Sequence, residues 1–209
     1  MSDTSLEARI QSLEDYREIC NLQGRYNHYL QTGQLKDKMA ELFAFSNPGV
    51  KVEMCDSGLW EGPAKVGELF KHMAGSKYGM AGSLMVHMLL TPVIEVAKDG
   101  RTAKGMWNSF GTNTYKAFDG SLEAMWQLGK YDLTFIKEDG KWKYLEFKWY
   151  VIFRTPFHEG WVKRPMVESL RAVAGVECPG FPPIGEFHTP YHPNKEHNVF
   201  LPCPPEPGA

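Results

Sequence analysis

The sequence predicts an α+β fold: a strongly curled antiparallel sheet with N-terminal helices packed on its concave face, followed by an extended proline-rich tail. Three observations predict it. Apolar residues recur at helical spacing over the first stretch of chain. Long strand-like runs then follow one another, joined by turns that end in Asp-Gly, the commonest short hairpin signal. Finally, eleven of the fourteen prolines lie from Pro156 onward. Helices gathered before a meander, rather than alternating with strands, pack on one face of the sheet, and a ligand cavity forms between the layers. Residues 1–154 are the expected domain. Residues 155–209 are the tail, expected to dock on that domain or on a neighbouring subunit.

From Leu6 to Leu30 there is no proline, and Leu6, Ile10, Leu13, Arg17, then Ile19, Leu22, Tyr26 and Tyr29 recur at helical spacing, with Gly33 as terminator. Lys36 to Phe45 carries Met39, Leu42 and Phe43 at i, i+3, i+4, and Asn47-Pro48-Gly49 ends this second helix. Val50 to Met54 alternates as a strand, Gly58 to Gly62 reads as a loop around Trp60, and Pro63 opens a third helix reaching about Met73. A glycine-rich loop from Gly75 to Gly82 leads to four strands: Leu84 to Val96, Thr102 to Tyr115, Leu122 to Ile136 and Trp142 to Phe153. Lys98-Asp99-Gly100, Phe118-Asp119-Gly120 and Glu138-Asp139-Gly140 are the turns between them. The tail has one helix-compatible patch, Pro165 to Val173. It keeps Trp161, Phe181, Phe187, Tyr191, Phe200 and Leu201, more apolar surface than a disordered linker carries.

The 209-residue chain carries a formal net charge of -2 and has no lysine-arginine run, which argues against nucleic acid or an anionic membrane as partner. Met1 to Glu7 lacks the basic and apolar regions of a signal peptide, and the apolar runs are too short for a membrane span, so the expected location is cytoplasmic. Cys20, Cys55, Cys178 and Cys203 have no paired spacing and read as free thiols. Glycine-rich phosphate loops, the Gly-x-Ser-x-Gly elbow and His-Glu-x-x-His are absent, which removes nucleotide-fold enzymes, α/β-hydrolases and zincins from the front rank. No cofactor is expected.

The chemistry centres on His87, alone between Val86 and Met88 on an apolar strand. Desolvation disfavours its cation and keeps the ring neutral near pH 7, so it is a usable base; a core histidine bonded to a backbone carbonyl is the other reading. Further candidates on the cavity walls are Tyr26, Tyr131, Glu53, Glu146 and Lys148, of which Glu53, Glu146 and Lys148 read as solvated sheet positions and the tyrosines as core packing unless they serve the site. Met80, Met85, Met88, Trp107, Phe110, Trp126 and Phe135 are available to line the cavity, and Met54, Trp60, Met85, Trp107, Asn113 and Trp126 are the expected substrate contacts. His188, His192 and His197 sit in a proline-stiffened stretch with spacing too loose for a metal site, so no metal is expected.

The order and spacing of Leu13 to Tyr26, of Trp60-Glu61-Gly62-Pro63, of His87 through Pro92 to Val96, and of Asp139 to Lys143 resemble the SnoaL-like branch of the nuclear transport factor 2-like superfamily, over Leu6 to Phe153. The resemblance implies an α+β cone whose members include cyclases, isomerases, dehydratases and plain binding proteins. Within it the chain is similar to scytalone dehydratase and bile-acid 7α-dehydratase, in which a His at the place of His87 pairs with an Asp on the first helix and tyrosines polarise a carbonyl or hydroxyl. Tyr26 and Tyr131 match such tyrosines, while the Asp position falls on Gln31. An amide fixes the imidazole tautomer but does not stabilise imidazolium as a carboxylate does.

The resemblance therefore implies a cofactor-independent dehydratase or isomerase acting on a small, mostly apolar cyclic oxygenated compound, with His87 as base and Tyr26, Tyr131 and Gln31 as its partners. The alternative is a binding or assembly protein on the same fold that has lost the chemistry. Glu53, Asp56 and Glu146 are the carboxylates that could replace the missing acid. Under either reading a homo-oligomer, dimer or trimer, is expected, because the outer face of a curled sheet needs cover.

Overall fold

The computed structural model describes residues 5–54, 58–76, 81–82, 84–116, 121–166 and 189–207. Their order is α1 (Leu6–Gln31), α2 (Leu35–Leu42), β1 (Lys51–Met54), β2 (Leu59–Glu61), α3 (Pro63–Ser76), β3 (Met85–Val96), β4 (Thr102–Lys116), β5 (Leu122–Glu138), β6 (Lys141–Pro156) and the short α4 (Gly160–Lys163). The α+β class and the helix-then-meander order are those the sequence predicts.

One six-stranded sheet runs β2-β1-β6-β5-β4-β3. It is mixed rather than wholly antiparallel: β1 lies parallel to β6, with Val52 opposite Phe147 and Met54 opposite Trp149. The three reversals of the β3 to β6 meander leave β6 running with β1, and hydrophobic pattern carries no information on that non-local direction. β2 is a second departure. Its three residues between Gly58 (φ 89°) and Gly62 (φ 81°) pair with β1, but they are too few to show a period and read as loop. In the β5–β6 turn Asp139 (φ 49°) and Gly140 (φ 73°) take the left-handed conformations that a tight hairpin requires. At the β3–β4 turn Asp99 Oδ1 accepts from the Arg101 amide at 2.9 Å. Phe118-Asp119-Gly120, Phe181, Phe187 and all but the first two residues of the Pro165 to Val173 patch lie outside the described residues.

α1 begins at Ser5, whose hydroxyl accepts from the Ala8 amide. Its buried stripe is Asp15, Ile19, Leu22, Gln23, Tyr26, Asn27 and Leu30, whereas Leu6, Ile10 and Leu13 are exposed, so the apolar spacing of the first turns does not mark core. Two polar ties fix the helix on the sheet. Buried Asp15 Oδ1 accepts from Lys137 Nζ (2.5 Å), Trp142 Nε1 (2.9 Å) and Gln11 Nε2 (3.2 Å). About two turns further on, the Tyr144 hydroxyl donates to Gln23 Oε1 at 2.7 Å. Between the layers Phe43 packs on Phe70, Tyr144 and Phe147, joining α2, α3 and β6 in one core with Val52, Trp60, Leu133 and Phe135. In the described part of the tail, the Tyr191 amide donates to Ile152 O (2.7 Å), and Lys130 Nζ donates to Phe200 O (2.6 Å) and Pro202 O (3.0 Å).

Candidate active site

Strand register builds the site. His87 on β3 lies opposite Gly111 on β4, Gly111 opposite Gln127 on β5, and Gln127 opposite Arg154 on β6. Side chains of one cross-strand row share a face. Here it is the face covered by α1, because Tyr131, Leu133 and Phe135 continue the same alternation into the core. Gly111 has no side chain to block the row. A Cβ there would stand 2.0 Å from Val86 O, and its absence lets the His87 ring reach across β4 to Gln127. Gly129 acts similarly one step along β5: its Cβ would meet Tyr150 O at 2.5 Å and Trp149 Cε2 at 2.7 Å, so the Trp149 indole lies over bare backbone.

Among the described residues the His87 ring has two hydrogen-bond partners. Gln127 Nε2 lies 2.8 Å from His87 Nε2, and the Tyr131 hydroxyl lies 3.3 Å from Nδ1. The Trp149 ring meets the imidazole edge-on at 5.2 Å between centroids. Behind Gln127, Asn113 Nδ2 donates to Gln127 Oε1 at 2.6 Å. From the helix side, Asn27 Nδ2 donates to the backbone carbonyl of His87. Tyr26 does not join the ring's contacts; it packs edge-on to Tyr131 with 6.4 Å between centroids, and its hydroxyl points to Met54 Sδ at 4.0 Å.

Burial, and secondarily the Arg154 guanidinium, push the His87 pKa down to about 4, so the ring is neutral at pH 7. Arg154 is itself buried, with its guanidinium carbon 6.0 Å from the centre of the Trp149 ring. Four buried polar atoms on this face have no hydrogen-bond partner among the described residues: Asn27 Oδ1, Asn113 Oδ1, Ser109 Oγ and Trp149 Nε1. Buried polar atoms are rarely left unpaired.

The structure corrects several sequence-level placements. Gln31 is exposed at the end of α1 and does not meet His87. Asn27 already lies at the edge of the buried stripe, and Gln31 is a further 40° or so around the helix. Asn27 is the α1 residue that reaches His87, and it too is an amide. Trp126, expected to line the cavity, sits on the opposite sheet face, stacked on Phe110 (5.3 Å) and tilted against Phe157 (5.6 Å), because its position alternates with that of Gln127. Met88 is exposed for the same reason of parity with His87. Of the proposed carboxylates, Glu53 is buried rather than solvated, but in the row of Lys148 and Asp132 on that opposite face; Glu146 pairs with Lys51 at 2.8 Å; Asp56 lies outside the described residues.

The other expected contacts divide between site and core. Asn113 is buried within the Gln127 chain, and Met85 lies opposite it in register. Met54 takes the Tyr26 hydroxyl. Trp107 is buried beside Tyr131 and edge-on to Phe135, and Trp60 is a core residue. Met80 and His188 lie outside the described residues; His192 and His197 are exposed. Among the described residues no group of three His, Cys, Asp or Glu side chains is placed to hold a metal. Asn27, Gln127 and Arg154 belong to the candidate site and were not expected from the sequence. A signal existed for one of them: Met125, Gln127, Gly129, Tyr131, Leu133 and Phe135 alternate along β5, and Gln127 is the polar interruption of that apolar stripe.

Several solved structures share this arrangement of helices and sheet. A protein of Novosphingobium aromaticivorans provisionally named a scytalone dehydratase is 16% identical, with 77% of this chain and 99% of that chain covered at a TM-score of 0.59. The hexachlorocyclohexane dehydrochlorinase LinA-type3 of Novosphingobium barchaimii is 13% identical, covering 71% and 94% at 0.58. An NTF2-like protein with a cystatin-like fold, also from Novosphingobium aromaticivorans, is 20% identical, covering 73% and 92% at 0.52. At such identities the likeness establishes the fold alone. A search of curated protein sequences returns no match. The profile of one family spans residues 11–148, from within α1 to the middle of β6, and takes in His87, Gly111 and Gln127 of the row though not Arg154; by that match the chain belongs to the SnoaL-like domain family.

Proposed function

We propose that this protein is a cofactor-independent lyase or isomerase that acts by acid–base chemistry on a small, mostly apolar cyclic compound bearing oxygen, with His87 as the base. The observation that carries the reading is a buried, neutral imidazole in contact with a tyrosine hydroxyl, on a sheet face where further buried polar atoms stand unpaired. Tyr26, Tyr131, Phe147 and Trp149 supply the apolar surroundings. Membership of the SnoaL-like family and fold neighbours named as a dehydratase and a dehydrochlorinase support the same class.

In this reading Tyr131 donates its hydroxyl hydrogen to a carbonyl oxygen of the ligand, and His87 takes the proton from the adjacent carbon. The C–H electron pair moves into the enolate, whose oxygen the Tyr131 hydroxyl stabilises. A ring held down at about pKa 4 is a weak base, so transfer has to be coupled to that charge: the forming enolate favours the imidazolium that burial opposes. The proton then returns to a different carbon in an isomerisation. In a dehydration it leaves with a β-hydroxyl as water, and a carbon–carbon double bond remains. General-base assistance of this kind contributes about 10²- to 10⁴-fold.

A non-catalytic binding protein is the second reading, favoured by one observation: the described partners of the ring are an amide and a phenol, not a carboxylate. Incubating wild type and His87→Ala with hydroxylated cyclic ketones and phenols, and following water loss and isomer composition by mass and chiral chromatography, separates the two. Conversion by the wild type that disappears in a folded His87→Ala protein supports the lyase or isomerase. A compound that raises the melting temperature of both proteins while neither converts it supports the binder.

A further inference from the structure

We propose that Gln127 is a positioning residue which, held by Asn113, fixes the tautomer of His87 with its proton on Nδ1 and its lone pair on Nε2, and so turns the hydroxyl hydrogen of Tyr131 toward the ligand. The role assigned here rests on the acid–base reading of the site; the tautomer assignment itself does not.

The chain of donors has one direction. Asn113 Nδ2 donates to Gln127 Oε1, which commits the carboxamide oxygen and leaves its N–H group facing His87 Nε2 at 2.8 Å. An N–H facing a ring nitrogen requires that nitrogen to accept, so Nε2 carries the lone pair and a neutral ring carries its one hydrogen on Nδ1. Nδ1–H then points at the Tyr131 oxygen, 3.3 Å away. The Tyr131 oxygen accepts there, and in the proposed reaction its hydroxyl hydrogen is the one given to the ligand carbonyl. Turning both carboxamides over would reverse every bond, but it would place the Asn113 NH₂ where Oδ1 now has no partner, leaving both of its N–H groups unpaired in place of one N–H and one acceptor. An under-satisfied carbonyl is the more tolerable of the two.

The geometry is available because Gly111 lies between the two residues in the cross-strand row, and any side chain at that position would stand in the backbone of β3. It also couples the two halves of the reaction. The ligand C–H displaces the Gln127 amide hydrogen from Nε2; once Nε2 is protonated, the Nδ1–H of the imidazolium is a stronger donor to Tyr131, at the moment the enolate oxygen needs the phenol most. A ligand that presents an acceptor oxygen is thereby preferred over one that presents only a donor.

The test is the ¹⁵N signature of the His87 ring, read by NMR in full-length wild type, Gln127→Glu and Gln127→Met at alkaline pH, with circular dichroism to verify folding. A carboxylate at 127 can only accept, so Gln127→Glu should move the hydrogen from Nδ1 to Nε2, whereas Gln127→Met should leave a mixture of the two tautomers. With a substrate in hand, kcat of Gln127→Glu should fall by about 10²- to 10⁴-fold, the size of a general-base contribution, because the lone pair then faces Tyr131. A wild-type ring carrying its hydrogen on Nε2, or one unmoved by Gln127→Glu, overturns the assignment. A wild-type ring with Nδ1–H that shifts as described in Gln127→Glu supports it, and if that protein turned over no substrate the acid–base reading alone would fall.

Discussion

Acidification should destabilise the wild-type protein more steeply than a His87→Gln variant. The ordinary histidine value is 6.5, and burial with the nearby Arg154 holds the folded ring near 4, a gap of roughly 2.5 units. At 1.36 kcal/mol per unit, this gap is worth about 3 kcal/mol. Its sign follows from proton counting. Between pH 6.5 and pH 4 the unfolded chain binds a proton at this position that the folded chain refuses, so stability is lost as pH falls, by up to about 1.4 kcal/mol per unit, and the loss levels off below the folded value. Urea denaturation of both proteins at a series of pH values between neutrality and pH 4 isolates the contribution, since the other six of the seven histidines are common to both. The difference in unfolding free energy between them should change by about 3 kcal/mol across this range, equivalent to about 6–12 °C in melting temperature. Parallel curves, within about 0.5 kcal/mol, would mean instead that the ring is open to water or already paired with an anion in the folded state.

Two further predictions concern the ties that hold α1 on the sheet. Asp15→Ala strips the partner from Lys137 and from the buried Trp142 N–H, and thermal or urea denaturation should show a loss of about 3–5 kcal/mol, while a change below about 1 kcal/mol would mean that the ion pair is not formed in solution. Tyr144→Phe leaves the fully buried Gln23 carboxamide without its donor and should cost about 1–3 kcal/mol in the same assay, with near-wild-type far-UV circular dichroism.

Most of the fold was legible because it is written in local chemistry. Asp139-Gly140 shows how: the turn type demands positive φ at two successive residues, Asp-Gly supplies it, and the strands on either side follow with their faces fixed by period-two alternation. The parallel pairing of β1 with β6 is not written that way, since it depends on the direction in which the chain returns after three hairpins. The site was half legible. His87 and Tyr131 stood out as titratable groups in apolar strands, and the structure brings them into contact. Gln127 is distinguished only once β4 and β5 are in register and Gly111 is seen to open the row between it and His87. Arg154 lies where β6 gives way to the proline-rich tail, and its burial in the site comes from β6 pairing as far as Pro156. Gln31 was placed by resemblance; helix geometry overrules it, because a step of four residues turns the stripe enough to carry Gln31 out of the interface that Asn27 borders.

The proposed step is removal of a carbon-bound proton by His87, without a metal or organic cofactor. Its most direct measurement is exchange in heavy water. Cyclic ketones are incubated with the chelator-treated protein, and deuterium appearing at the carbon beside the carbonyl is followed by NMR. Exchange catalysed by the wild type on at least one such compound is expected, together with its loss in folded His87→Gln. Exchange that proceeds equally with His87→Gln, or that no ketone undergoes above the buffer rate, would contradict it.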